Sequence, residues 1–170
     1  MKVKIKKLHP NAVIPAYAKT GDAGMDLTAV SMQIDEYSNI CYGTGLAFEI
    51  PEGYVGLIFP RSSNCKKGII LTNCVGVVDS GYRGEVSFKF RPLIFMADEV
   101  RSAGEYENMG IPAGSEDWFG LRPSDIDTTY KVGDRVGQII IMPFPQIEFE
   151  EVEELSETER GTEGYGSSGA

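Results

Sequence analysis

Apolar residues along this chain come in short runs, and where they alternate with polar ones the period is two. "VKIKKL" (3–8), "LAFEI" (46–50), "YVGLIF" (54–59), "GIIL" (68–71), "CVGVV" (74–78), "EVSFKF" (85–90) and "VGQIIIM" (136–142) are each of strand length. Turn chemistry separates them: "PEG" at 51–53, "DSGYRG" at 79–84, "VGD" at 132–134 and "PFP" at 143–145. No window carries a long 3.6-residue period with caps. Short strands spaced in this way predict an all-β sandwich or barrel. "EVSFKF" alternates cleanly, so one face should be buried and the other wet. "VGQIIIM" is nearly all apolar, which predicts a strand buried on both faces or at a subunit interface.

Three stretches break the rhythm. Residues 93–128 have mixed polarity, the only tryptophan (Trp118), and Gly or Pro every few residues. They read as an insertion with one short helix near 95–102, because a structureless stretch of this length is uncommon inside a compact domain. Seven glutamates between Glu148 and Glu159 predict a solvated, extended linker. Beyond it lies "RGTEGYGSSGA" (160–170), with four glycines and two serines. Such a tail cannot build a core. It is either a flexible end or a segment that orders when something binds, and Arg160 and Tyr165 keep the second reading open. The expected organisation is a β domain over 1–159 and a glycine-rich arm over 160–170.

At 170 residues, with 42% hydrophobic and 24% charged residues, the chain is sized and composed as one globular domain. No apolar run approaches the roughly 20 residues needed to cross a bilayer, so no membrane partner is expected. The basic start "MKVKIKKLHP" has no apolar signal core behind it. Cys41, Cys65 and Cys74 are scattered, no CxxC occurs, and His9 is the only histidine. That argues against a disulfide framework and a Cys/His metal site, and free thiols fit a reducing cytoplasm. The net charge of −9, with no Lys/Arg cluster beyond residues 2–7, argues against a nucleic-acid partner. An anionic ligand would need local arginines, backbone N–H groups or a divalent metal to overcome the general field.

Five stretches combine glycine with polar residues in ways a plain sandwich does not need. "AGMDL" (23–27) places Asp26 at a strand start, although an Asp after Gly also forms turns. "PRSSN" (60–64) ends a strand at Pro60 and clusters Arg61, Ser62 and Ser63, which suits an oxyanion or a capped helix start. "NCVGVVDSGYRGE" (73–85) delivers Asp79 to the end of a strand and Tyr82 to a glycine turn, either as reactive groups on a rigid frame or as a simple hairpin. "GDRVGQ" (133–138) sets Arg135 and Gln138 around a strand start, where a surface turn is the plainer reading. The fifth is the tail, whose backbone could wrap phosphate.

Together and in this order the five stretches resemble the motifs of the trimeric dUTPase family, the deoxyuridine triphosphate nucleotidohydrolases. They read AGMDL, PRSSN, GVVDSGYRG, GDRVGQ and RGTEGYGSSG, and the resemblance covers residues 1–92 and 129–170. It implies a jelly-roll-like β fold, a homotrimer with active sites shared between subunits, and Mg²⁺-assisted hydrolysis of dUTP to dUMP and pyrophosphate. By resemblance Asp79 is the general base for water attacking the α-phosphorus. Tyr82 lies under the deoxyribose and leaves no room for a 2′-OH. The hairpin from Asn73 to Tyr82, with Gly76 and Val78, reads the uracil edge, and Asn73 adds a side-chain contact. Arg61, Ser62, Ser63 and Gln138 serve the phosphates, and Arg135 suits an ion pair. Asp26 holds a water bound to Mg²⁺. The tail becomes a lid: Arg160 meets the γ-phosphate, Tyr165 (more often Phe in the family) stacks on uracil, and Gly166, Ser167 and Ser168 contact phosphates.

The 93–128 insertion departs from typical members. Its likeness to insertions in some phage dUTPases suggests a phage or prophage origin, hence a host cytoplasm, and a surface for a protein partner; a loop packed on the trimer edge is the alternative. Two rival readings remain. One is the related dCTP deaminase, for which Glu85 is the only nearby acid. The other is a binding module that kept the fold and lost catalysis.

Overall fold

The computed structural model describes residues 1–92 and 129–163. These form strands β1 (Lys4–Lys7), β2 (Met25–Thr28), β3 (Ser31–Ile34), β4 (Ile40–Gly43), β5 (Leu46–Glu49), β6 (Tyr54–Pro60), β7 (Ile69–Leu71), β8 (Gly76–Val78), β9 (Ser87–Pro92) and β10 (Arg135–Pro143). A 3-10 helix, Ser62–Lys66, lies between β6 and β7. Each of the seven apolar runs overlaps one of these strands. β2 was foreshadowed only as a strand start, and β3 and β4 carried no such signal. All four residues of β3 are exposed, so it shows no alternation, and β4 is a short buried "ICYG" behind a polar turn. The expected helix near 95–102 and the rest of 93–128 lie outside the described residues, as do residues 164–170.

Two four-stranded antiparallel sheets carry the body, ordered β2-β10-β6-β8 and β3-β4-β9-β7, and β1 pairs with β5 beside them. The core draws on both: Leu27, Ile58, Val78, Val136 and Ile139 from the first, and Ile40, Tyr42, Ile69, Leu71, Phe88 and Phe90 from the second. β9 keeps its predicted alternation, with Phe88 and Phe90 fully buried and Ser87, Lys89 and Arg91 facing out. Each such ring contributes about 1.5–3 kcal/mol by leaving water. Phe88 also reaches across to β10, where a Cβ on Gly137 would run into its ring. β10 is an inner strand of its sheet, between β2 and β6. Within one chain it is buried on both faces only at its start: Val136, Gly137 and Ile139 are buried, Ile140 and Ile141 half-buried, and Met142 exposed.

The β3–β4 turn is organised by one carboxylate. Asp35 accepts the backbone N–H of Tyr37 at 3.0 Å and of Asn39 at 2.9 Å, the Asn39 side-chain amide at 3.1 Å, and the Lys89 ammonium at 3.1 Å. The Asn39 amide is the largest influence holding its pKa well below the usual carboxylate range, with Lys89 and the two backbone N–H groups adding to it. A depressed folded-state pKa gives stability that is present above the unfolded value of about 3.9 and lost as pH falls toward the folded value. Asp35→Asn should therefore show a smaller loss of thermal midpoint than the wild type between pH 5 and pH 2. Parallel melting curves across that range check this.

Candidate active site

Strand register brings together three stretches that are far apart in sequence. On β10, Gln138 sits opposite Asp26 of β2 on one side and Phe59 of β6 on the other. The ends of AGMDL, GDRVGQ and PRSSN thus meet at one end of one sheet. Asp26 is the hub. Arg61 Nε donates to its Oδ1 at 2.8 Å, Arg135 Nη1 to its Oδ2 at 3.0 Å, and Gln138 Nε2 to Oδ1 at 3.2 Å. The Asp26 and Arg61 side chains are only 17% and 23% exposed, so their pairing is partly shielded from solvent, whereas Arg135 is 57% exposed. Two guanidinium groups against one carboxylate leave a local positive excess on a chain of net charge −9, which is what an anion site needs. Arg135 takes the ion-pair role expected for it. Gln138, expected at the phosphates, spends its amide on Asp26 here.

Beyond Pro60 the chain turns into the 3-10 helix. Arg61 occupies its N-cap position in extended conformation without a side-chain cap, so the alternative of a capped α-helix start reduces to a single tight turn. Arg61 also reaches Ser63 Oγ at 3.4 Å, and the Asn64 amide closes the segment onto the Ile69 carbonyl at 2.7 Å. An open groove of about 620 Å³ runs over this segment, lined by Arg61, Ser62, Asn64, Lys66 and Ile70 among others. A smaller cleft of about 270 Å³ adjoins the hub between Asp22, Gly24, Asp26 and Gln138.

The third stretch forms a separate platform. β8 is the edge strand beside β6, and Asp79 follows it, exposed. The turn is closed by the Tyr82 N–H to the Asp79 carbonyl at 3.1 Å. Arg83 braces it, donating to the carbonyls of Ser80 at 2.6 Å and Tyr82 at 2.9 Å. The Tyr82 hydroxyl donates to the Glu85 carbonyl at 3.1 Å, and its ring lies over Gly84, where any Cβ would collide with it. Gly76 is held against Ile58 with no room for a side chain, so β8 packs closely on β6. Val78 points into the core while Asn73 lies exposed in the preceding turn. The Glu85 carboxylate, exposed just before β9, accepts the Gly45 N–H at 2.6 Å.

Within one chain these two platforms stay apart. Val78 pairs with Gly56 and Gly137 with Pro60. Asp79 therefore leaves the sheet level with Val55, whereas Arg61 leaves it at the far end of β6. At about 3.4 Å per residue that separation is roughly 20 Å, too far for one phosphoryl group to touch both. Arg160 is exposed on the arm, its Nε donating to the Glu163 carbonyl at 3.0 Å. Tyr165, Gly166, Ser167 and Ser168 lie outside the described residues. The glutamate-rich linker is extended and exposed, as its charge predicts. The bracing roles of Asn64 and Arg83 were not foreseen from sequence; a polar residue inside each glycine-bounded turn was the available signal.

The dUTPase family model matches residues 10–92 and 122–169. The chain is 38% identical to the deoxyuridine 5'-triphosphate nucleotidohydrolase of Wolinella succinogenes, over 99% of this chain and 95% of the relative. The enzyme of the same name from Nautilia profundicola is 38% identical over 99% of both chains. Among solved structures, the Staphylococcus bacteriophage 80alpha dUTPase with dUPNHPP superposes with a TM-score of 0.71 at 26% identity, over 99% of both chains. These two relatives are bacterial and the structural neighbour is a phage protein. A jelly-roll β fold is here the frame of a nucleotide hydrolase. The chain belongs to the dUTPase family, and as an enzyme it is a dUTP diphosphatase.

Removing the hub should be felt in the fold itself. Asp26→Ala leaves two guanidinium groups facing each other without their counter-charge, and should lower stability by about 1–3 kcal/mol. The shift of the urea midpoint relative to wild type measures it.

Proposed function

We propose that dUTP is hydrolysed at a site assembled from more than one copy of this chain. The observation that carries this is the separation, within one chain, of the Asp26-centred arginines from Asp79. Exposed apolar residues supply surface for association: Val77 on β8, Met142 on β10, Ile147 just after it, and Phe149 and Leu155 on the glutamate-rich linker. The linker makes no strand pairing among the described residues, so it is free to lie on a neighbour. A homotrimer satisfies both observations.

In this reading Arg61, Ser62, Ser63 and Gln138 hold the triphosphate, with the local positive excess offsetting its charge. Asp79 of another subunit orients a water and takes its proton as the water oxygen bonds to the α-phosphorus. The bond from that phosphorus to the α,β-bridging oxygen breaks, and dUMP and pyrophosphate result. Holding water and phosphate in line supplies much of the rate, because a carboxylate is a modest base. The Tyr82 ring, fixed between Gly84 and the Glu85 carbonyl, lies under the deoxyribose and excludes a 2′-OH. The β8 backbone at Gly76 and Val78, with Asn73, reads the uracil edge. Arg160 meets the γ-phosphate, Tyr165 stacks on the base, and Gly166, Ser167 and Ser168 close over the phosphates, excluding water.

Mg²⁺ fits this site as an ion carried by the substrate. Among the described residues no group of three or more His, Cys, Asp or Glu side chains could cage a metal. Two carboxylate oxygens offer about four acceptor sites, so Asp26, with three donors, can still accept from a metal-bound water. When bound, the ion neutralises phosphate charge. Structurally, a phage phi11 dUTPase mutant described with a structural Mg(II) ion shares the fold, with a TM-score of 0.64 at 24% identity. The three cysteines are free, in keeping with a cytoplasmic enzyme that limits uracil incorporation into DNA and supplies dUMP for dTTP synthesis. The family match skips residues 93–121, and the 93–128 stretch is proposed to engage a protein partner.

Purified protein with Mg²⁺ should release dUMP and pyrophosphate from dUTP and leave dCTP, dTTP and UTP intact. Asp79→Asn should lower kcat by about 10²–10⁴-fold while binding of a non-hydrolysable dUTP analogue changes little. Unchanged turnover in that variant would sink the assignment of the base. Deleting residues 160–170 should abolish most turnover at an unaltered melting temperature, and full activity of the truncated enzyme would refute the lid.

A further inference from the structure

The Tyr82 ring is placed by a chain of contacts that leads away from the site, and its last link is a carboxylate with no part in the chemistry above. The Tyr82 hydroxyl donates to the Glu85 carbonyl at 3.1 Å. That carbonyl belongs to a peptide whose N–H, on Val86, donates to the Leu46 carbonyl at 2.9 Å. The Glu85 side chain turns the same way: its Oε1 accepts the Gly45 N–H at 2.6 Å. It also lies against Gly43, where a Cβ would come within 2.6 Å of the same oxygen. Residue 85 is therefore tied through its main chain to β5 and through its side chain to the turn between β4 and β5.

That turn is a firm anchor. Thr44 at its centre is fully buried, and its hydroxyl donates to the Val86 carbonyl at 2.6 Å. Gly45 has a φ of +65°, and a Cβ there would strike His9, Val30 and Ala12, so only glycine suits the place. Its carbonyl accepts the Leu8 N–H at 2.7 Å, and the Gly43 carbonyl accepts the Val30 N–H at 2.8 Å. Tyr82, by contrast, is 46% exposed and stands on a turn between exposed neighbours. Its ring keeps one tilt only if the far end is held. A single hydrogen bond fixes a peptide in place but lets it rock about that bond, and a second contact removes the freedom. A carboxylate suits the task, because its hydrogen bonds are shorter and stronger than neutral ones.

We propose that Glu85 is a positioning residue for the sugar-reading ring: its carboxylate, held by Gly45, fixes the carbonyl that receives the Tyr82 hydroxyl, and so sets how strictly a ribose is refused. A ring free to tilt leaves space for a 2′-OH, and a ring pinned at both ends does not. Glu85 itself does not touch the substrate. The inference rests on the reading of Tyr82 as the group under the deoxyribose.

The test compares binding of non-hydrolysable analogues of dUTP and of UTP to the same full-length protein. The ratio of the two dissociation constants is the readout, because a loss of folded protein or of assembly weakens both alike and cancels. In Glu85→Ala the preference for the deoxy analogue should fall about 3–10-fold, the equivalent of one net hydrogen bond. Glu85→Gln keeps an oxygen for the Gly45 N–H and should keep most of the preference. Tyr82→Phe, which removes the hydroxyl at the other end of the chain of contacts, should lose as much as Glu85→Ala, and the double variant no more than either. An unchanged preference in Glu85→Ala, with Tyr82→Ala relaxed, would overturn the role of Glu85 alone. So would a further loss in the double variant, since Glu85 would then act by another route, or a Glu85→Gln as relaxed as Glu85→Ala. If Tyr82→Ala also keeps the full preference, the sugar reading of Tyr82 fails, and this inference with it.

Discussion

The Asp26 carboxylate, held between Arg61 and Arg135, is the interaction around which the site is arranged. It joins three strands at the point where β10 lies between β2 and β6. Without a counter-charge the two guanidinium groups would repel each other, and the turn into the 3-10 helix would lose its anchor. With it, the pair is fixed in direction and still leaves one positive charge to spare. Partial shielding strengthens the contact without burying it fully, so the site avoids the full desolvation penalty of an interior ion pair. A chain of strongly negative net charge thereby keeps two arginines together at one end of a sheet.

The second constraint is the length of β6. Its two ends carry different chemistry: the cationic turn at Pro60 and Arg61, and, across the β8 pairing, the hairpin with Asp79 and Tyr82 at the other. A rigid sheet cannot fold its ends together. In our proposal, chemistry that needs both recruits another copy, and the exposed apolar positions of β8, β10 and the glutamate-rich linker give that copy something to bury. Rigidity within each platform is local. Arg83 and Gly84 set the Tyr82 ring, while Asn64 closes the turn after β6 onto the Ile69 carbonyl.

Much of the fold was legible because period-two alternation reports burial directly. Phe88 and Phe90 on β9 show this, and the glycine and proline turns mark the strand ends. β3 was not legible, because a strand with all four residues exposed has no alternation to read. β4 was too short to stand out from its polar flanks. The site motifs were legible as residue types in order, since glycine beside Arg, Ser and Asp is a poor choice for a plain sandwich. Their partners were not. Nothing in "GDRVGQ" says that Gln138 donates to Asp26, and nothing in "RGE" says that the Glu85 carboxylate is committed to Gly45.

By itself, then, the sequence determined the all-β class, the positions of seven strands, the five chemical stretches and the solvated glutamate linker. All of these follow from composition and spacing within a few residues. Tertiary structure alone decided which stretches share a platform, that Arg61 and Arg135 divide one carboxylate, and that Asp79 stands at the opposite end of β6. The reason is register. Strand pairing brings residues more than a hundred positions apart, such as Asp26 and Gln138, to neighbouring places on a sheet. A slip of one residue would send each side chain to the other face, so contacts of this kind are set by how the strands align and not by any local pattern.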